Sequence, residues 1–408
     1  MRVAVFLSGF SMAVFGVFQG VPAAQSPRPL PPIVPTPTAA VTTLVSRLDL
    51  ERYKATVKGL TQFGDRRQGT ERNRKAVDWI EAQLRSYGCP TERIKYVYNP
   101  PPPAPRATPP AQRPPEPAIP RAVGGGRPRG IRTPTGVNTD AMKQPNEALR
   151  RLNEEPATNG PREEVYCTKV GAKSPNEMYI VSAHMDGHGW GEAANDDGSG
   201  TALVMELARV FSMPDVQTDR TIRFALWNNE ETGLNGAEAY VQQRKALQGK
   251  EDPPGSGKYP EPTWLGMIQH DMMMFDHGMP RADGTIPPDQ RPEADVNIEF
   301  QMTARQTLGA QALAWFFHAA NEKYATDYPA QVGPHMTNTD STPFMDEIPA
   351  ISLRENERGV HVGSGWDPQW HQPTDVFATY SDKDFRLGLN AAQTTLGAIG
   401  ELTGATLR

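Results

Sequence analysis

The sequence predicts an α/β domain built on a mostly parallel, helix-covered mixed sheet. Three observations point there. Apolar segments of strand length at 178–183 (MYIVSA) and 221–227 (TIRFALW) are β-branched and aromatic, and a third, PAISL, follows at 349–353. Segments with helical spacing stand after the first two: GSGTALVMELARVF, where Leu203, Leu207 and Val210 recur on one face, and LNGAEAYVQQ. Strands that alternate with helices pair in parallel, because each helix carries the chain back across a sheet face. No internal repeat at a fixed period is evident.

Earlier in the chain, Ala76, Ile80, Leu84 and Tyr87 form a stripe over 73–87, with Gly88 as a C-terminal stop. That spacing predicts a core-packing helix. The first residues, MRVAVFLSGFSMAVFGVFQGVPAAQS, carry one positive charge at Arg2, an apolar stretch over 3–17 and small residues around Ala23. This is the layout of a cleavable secretory signal, expected over 1–23. The stretch is short for a membrane span, which needs about 20 apolar residues. The proline-rich SPRPLPPIVPTPT that follows is expected to be an extended linker over 24–40. From about 99 to 161 the composition turns to NPPPPAPRATPPAQRPPEPAIP and GGGRPRG. That composition predicts a low-complexity insertion looped out of a domain spanning 41–408. ALRRLNEE at 148–155 reads as a short helix able to bury little surface.

With 408 residues, a formal net charge of −5 and no long block of one sign, the chain shows neither a nucleic-acid-binding face nor an acidic tail. A small molecule or peptide is the expected partner, with no stable membrane insertion. Cys89 and Cys167 are the only cysteines, and they stand either as one bridge or as two buried thiols. They lack the paired spacing of a structural zinc site, so any metal falls to His and carboxylate ligands.

Chemistry concentrates beyond the strand ends. His184 and Asp186 follow the strand at 178–183, where open α/β sheets bind ligands. Asp196 lies in NDDGSG, a tight loop feeding the next helix, and the adjacent Asp197 suits a capping role. Glu230 and Glu231 follow TIRFALW as neighbouring carboxylates that repel unless something positive neutralises them. A divalent metal would do so.

Five ordered segments, AHMDGH with ANDDGSG, FALWNNEETGLNGAEAY, IQHDMMMFD, TDSTPFMDEIPAISL and QWHQPTD, resemble the secreted co-catalytic zinc aminopeptidases, whose relatives include glutamate carboxypeptidases and glutaminyl cyclases. The resemblance covers most of the chain from about Val41 onward, outside the insertion, and implies a phosphorylase/zinc-exopeptidase-like single catalytic domain. It further implies two zinc ions per chain, one on His184 and Asp271, another on Glu231 and His371, with Asp196 bridging. Glu230 would be the general base, and Asp186 would accept from the ring N–H of His184. The implied activity is removal of residues from peptides with a free N-terminus by a secreted or periplasmic enzyme. A carboxypeptidase or dipeptidase of the same superfamily and a one-zinc, glutaminyl cyclase-like acyltransferase are the alternatives, and a non-catalytic receptor is the reading from outside enzymology. Trp370 stands where some relatives carry Tyr. Arg354 is open to a substrate carboxylate or an ordinary ion pair. His188, just after the His184–Asp186 pair, and His270, just before Asp271, are placed to line the site, but the expected role of these two, as of His277, His318, His335 and His361, is structural or solvent-exposed. Met272–Met274 are expected to be core filler, with an apolar specificity pocket as the alternative.

Overall fold

The computed structural model describes residues 30–31, 36–100, 137–276, 296–334, 336, 338–355 and 367–408. The expected signal at 1–23, nearly all of the linker before 36, His277, His335 and His361 lie outside them. In chain order the elements are α1 (Ala39–Val45), α2 (Leu50–Thr61), α3 (Glu71–Ser86), β1 (Thr91–Tyr98), α4 (Glu147–Asn153), β2 (Gly160–Lys169), β3 (Ser174–His184) and α5 (Gly198–Phe211). They continue with β4 (Val216–Gln217), β5 (Arg220–Trp227), α6 (Asn235–Arg244), β6 (Thr263–His270), β7 (Val296–Phe300), α7 (Thr307–Tyr324), β8 (Ala330–Gly333), β9 (Ala350–Glu355), α8 (Asp382–Leu402) and β10 (Thr406–Leu407).

Eight strands form one mixed sheet in the order β1-β2-β5-β3-β6-β9-β7-β8. Its centre, β5-β3-β6-β9, is parallel, while β1-β2, β2-β5 and β9-β7 pair antiparallel. Central strands are buried on both faces, which is why β3 and β5 read as near-continuous apolar runs rather than alternations. Helix α5 is almost wholly buried against the sheet, and α7 and α8 pack beside each other on the same core. A second apolar cluster on the other face gathers Trp227, Tyr240, Trp264 and Phe344. No helix among the described residues is long and apolar enough to cross a membrane.

The stripe at 73–87 is α3: Thr70 caps it by accepting from the Asn73 amide, Ala76, Ile80 and Leu84 are buried, and Gly88 follows at φ 80°. Cys89 and Cys167 form a disulfide that ties the exit of α3 to β2.

The region around 99–161 needs correction. Residues 101–136 lie outside the described set, but 137–159 pack onto the domain rather than looping out. The ALRRLNEE segment forms most of α4, which Asn146 caps and which buries Leu149 and Asn153. Asn138 and Gln144 are buried as well, because their polar groups meet loop carbonyls that would otherwise lack partners. The low-complexity composition stops short of this stretch, and a short amphipathic helix with a capping Asn has enough surface to dock.

Candidate metal centre at the carboxyl ends of the central strands

Register brings the functional groups into one row. His184 at the end of β3 lies opposite Trp227 of β5, Ala183 lies opposite His270 of β6, and His270 opposite Leu353 of β9. One to four residues beyond that row come Glu230, Glu231, Asp271 and Arg354. The loop before α5 adds Asp196, and the 367–375 loop adds His371. Together with Gly233, Asn338 and Trp370 these residues line a cavity of about 200 Å³. Asn229 and His371 hold left-handed backbone, φ 67° and 58°, a conformation that non-glycine residues keep only when their surroundings enforce it.

Asp196 sits between two histidines. Its Oδ1 is 3.4 Å from His184 Nε2, and its Oδ2 is 3.1 Å from His371 Nε2. On the first side, Asp271 Oδ1 is 3.8 Å from His184 Nε2; on the second, Glu231 Oε2 is 2.9 Å from His371 Nε2. Neighbouring ligand atoms on a tetrahedral zinc with ordinary bond lengths lie about 3.3 Å apart. These four separations scatter around that value, so the donor set fits two cation positions sharing one carboxylate. Asp196 Oδ2 and Glu231 Oε1 are buried without hydrogen-bond partners among the described residues, as groups reserved for a cation would be.

Charge leads to the same fit. Four carboxylates line the cavity against one arginine among the described residues, and no lysine. Burial alone would lower the two imidazoles' pKa, yet the surrounding carboxylates override it: His184 is raised well above its usual value by Glu230, Asp196 and Asp271, and His371 to about 10 by Glu231 and Asp196. Burial works against Glu231 too, but the His188 and His371 imidazoles hold its carboxyl down at about 2. Glu230 behaves differently. Burial raises it well above the carboxylate range, and Glu231 beside it adds to the rise while His184 opposes it.

Supporting bonds orient the donors. His184 Nδ1 donates to the main-chain carbonyl of Asp186 at 3.0 Å, which turns Nε2, the nitrogen a cation would take, toward Asp196 and Asp271. Here the expectation for Asp186 is corrected. Its carboxylate lies 3.8 Å from the ring and accepts instead from the Glu230 amide at 3.0 Å, since the tight turn after β3 brings the carbonyl to the ring first. Asp271 Oδ2 is taken by the Arg354 guanidinium and by Thr339 Oγ1 at 2.6 Å, which leaves Oδ1 toward His184. Arg354 is therefore engaged in an ion pair. Asp197 accepts from the amides of His184, Gly200 and Met272, the last two on one oxygen, and caps α5. Asp375 accepts from the amides of Asn195 and Asp196 and so joins the His371 loop to the Asp196 loop.

His270 points into the core between Ser182 O and Thr395 Oγ1, and burial lowers its pKa to about 4. Met272–Met274 are fully buried, and Trp370 stacks on the His371 ring at 3.9 Å. Sequence reasoning gave no role to Thr339 or Asp375. Asp375 ends the quoted motif QWHQPTD, four residues after His371, and its place there was the available signal. His188, expected to be structural or exposed, lies against Glu231 at 3.0 Å.

A family model, Peptidase family M28, matches residues 165–393, which hold the proposed metal-binding side chains, Glu230 and His188. The chain belongs to peptidase family M28. Local similarity reaches Carboxypeptidase Q of Xenopus laevis, 36% identical over 92 residues, and Aminopeptidase YwaD of Bacillus subtilis (strain 168), 35% identical over 107 residues. These matches cover 22% and 25% of this chain and only 20% and 22% of the relatives. Solved structures share the fold over nearly the whole chain. The aminopeptidase from Aneurinibacillus sp. strain AM-1 superposes with a TM-score of 0.58 at 19% identity, covering 90% of this chain and 97% of that one. Glutaminyl cyclase of Porphyromonas gingivalis superposes with a TM-score of 0.53 at 14% identity, covering 87% and 98%.

Proposed function

We propose that this M28 chain is a zinc exopeptidase that hydrolyses the N-terminal peptide bond of peptides. In this reading His184, Asp271 and Asp196 hold one ion, and Glu231, His371 and Asp196 hold a second. The observation that carries it is the Asp196 carboxylate, whose two oxygens face two separate histidine-carboxylate pairs. Zinc bound there would polarise the scissile carbonyl and lower the pKa of a water molecule to near neutrality.

The chain's own residues supply the rest. Glu230 lines the cavity beside the Asp196–His184 pair, where its carboxylate can take a proton from water and return it to the leaving amine. The Asp186 carboxylate fixes the Glu230 main chain, so base and donors keep their relative positions. Cavity carboxylates favour a substrate ammonium. A substrate's terminal carboxylate would need a cationic clamp, and Arg354, the arginine at hand, is engaged with Asp271. The fold is shared by an aminopeptidase and a glutaminyl cyclase, so fold alone does not choose between hydrolysis and acyl transfer; the complete five-ligand set favours hydrolysis. The signal-like start and the disulfide support export.

Purified protein assayed on free and N-acetylated dipeptides tests this. Acetylation removes the ammonium and adds bulk, so kcat/KM should fall steeply. Comparable values, or residues released from the carboxyl end of a longer peptide, would replace the aminopeptidase reading with the carboxypeptidase one.

A further inference from the structure

We propose that His188 is a fourth protein donor at the Glu231–His371 position, an inference that rests on the two-metal reading above. His188 Nε2 lies 3.0 Å from Glu231 Oε2, the oxygen that His371 Nε2 approaches at 2.9 Å. One ligand atom from each of His188, Glu231 and His371 falls within 4.8 Å of the others. The two imidazole rings stand perpendicular with centroids 4.1 Å apart, so their edges converge on that carboxylate instead of stacking face to face. No acceptor among the described residues meets His188 Nε2 in hydrogen-bond geometry although the atom is buried. A nitrogen this close to a carboxylate oxygen, yet off the line of an N–H···O bond, is placed as two donors to a common ion are placed.

The loop carrying His188 is fixed from several directions. Gln144 Nε2 donates to the Trp190 carbonyl at 2.8 Å, and Asn153 Nδ2 to the Gly191 carbonyl at 2.8 Å. Gly189, at φ 99°, lets the main chain pass within van der Waals contact of the His371 backbone. Histidine at this position is thus held in place before any ion arrives, and the segment 137–159 does part of the holding.

The consequence is asymmetry. The position of Glu231, His371, Asp196 and His188 has four protein donors, the closed set of a zinc retained for structure and charge, whereas that of His184, Asp196 and Asp271 has three and keeps a place for water or substrate. The four-donor position should fill first and empty last.

Zinc titration of metal-free protein against a competing chelator, on wild type and His188→Ala, reads this directly. The tighter of two sites should weaken at least about tenfold in the variant while the other is unchanged. A cobalt-substituted wild type gives an independent reading: three exchangeable imidazole N–H signals shifted by the paramagnetic ion are expected, from His184, His188 and His371, and two in His188→Ala. Two zinc sites with unaltered affinities in His188→Ala, two shifted signals in wild type, or restored affinity in His188→Gln, whose amide can donate to Glu231, would overturn the assignment and leave the two-metal reading intact. A single zinc in wild type would overturn both.

Discussion

Gly189→Ala should disable the site without unfolding the protein. At φ 99°, Gly189 occupies backbone space that a side chain rarely adopts, and an added Cβ would lie 2.4 Å from both the carbonyl carbon and oxygen of His371. Those atoms are main chain and cannot rotate aside. Restoring an ordinary contact of about 3.5 Å requires His371 or the 187–191 loop to retreat by about 1 Å, while useful metal–ligand geometry tolerates about 0.2 Å. A displacement of that size at a reacting centre is worth about 10²-fold in rate, and the strained φ costs about 1–3 kcal/mol in stability. Gly88→Ala is the control. Gly88 has a similar φ of 80°, but no atom of the described residues lies within 4 Å of its added Cβ, so that variant should lose stability and keep its turnover. Both variants would be measured by thermal unfolding and by kcat on an aminoacyl p-nitroanilide. If Gly189→Ala and Gly88→Ala lose stability alike and both keep wild-type kcat, the proposed coupling between the 187–191 loop and His371 is wrong.

Glu230→Gln should keep its zinc and lose at least about 10²-fold in kcat, whereas Glu231→Gln should lose zinc as well; near-normal turnover in Glu230→Gln removes the base assignment. Zinc affinity should rise with pH. In the metal-free chain His371 titrates at about 10, so near neutrality its imidazole is protonated and must release that proton to bind. Log affinity then climbs by about one per pH unit for that proton and falls on acidification, as calorimetry in buffers of differing ionisation enthalpy would show; pH-independent binding without proton release contradicts it. The Cys89–Cys167 bridge closes a separation of 78 residues, so replacing both by Ser should cost about 4 kcal/mol in urea unfolding. An unchanged midpoint would mean that the unfolded chain gains nothing from the cut.

Much of this site is legible in the sequence: His184 after 178–183 and Glu230 and Glu231 after 221–227 stand beyond strands of clear apolar signature, whereas the proposed ligands Asp196 and His371 lie in loops and are readable only from their motifs. What pairs with what was not. The order β5-β3-β6-β9 is set by non-local packing, and only that register shows Arg354 reaching Asp271. His188 stands after the His184–Asp186 pair and so is placed to line the site, but a lone histidine between glycines gives no periodic signal of a partner, and its contact with Glu231 spans 43 residues. The Asp186 carboxylate was assigned to the wrong donor, since a sequence cannot tell a side-chain acceptor from the carbonyl of the same residue. Helix α8 was missed although Ser381 and Asp384 form a capping box at its start, because its polar first turn hides the apolar face that follows. The ordered 137–159 segment was masked by its proline-rich neighbourhood.

Metal stoichiometry with and without the shared carboxylate is the most direct test of the two-metal centre. Active wild-type protein should hold two zinc ions per chain at saturation, and Asp196→Asn should weaken both sites together, because a neutral amide does not span two cations. One zinc per chain in fully active wild type, or an Asp196→Asn variant that loses one site and leaves the other at wild-type affinity, would contradict it.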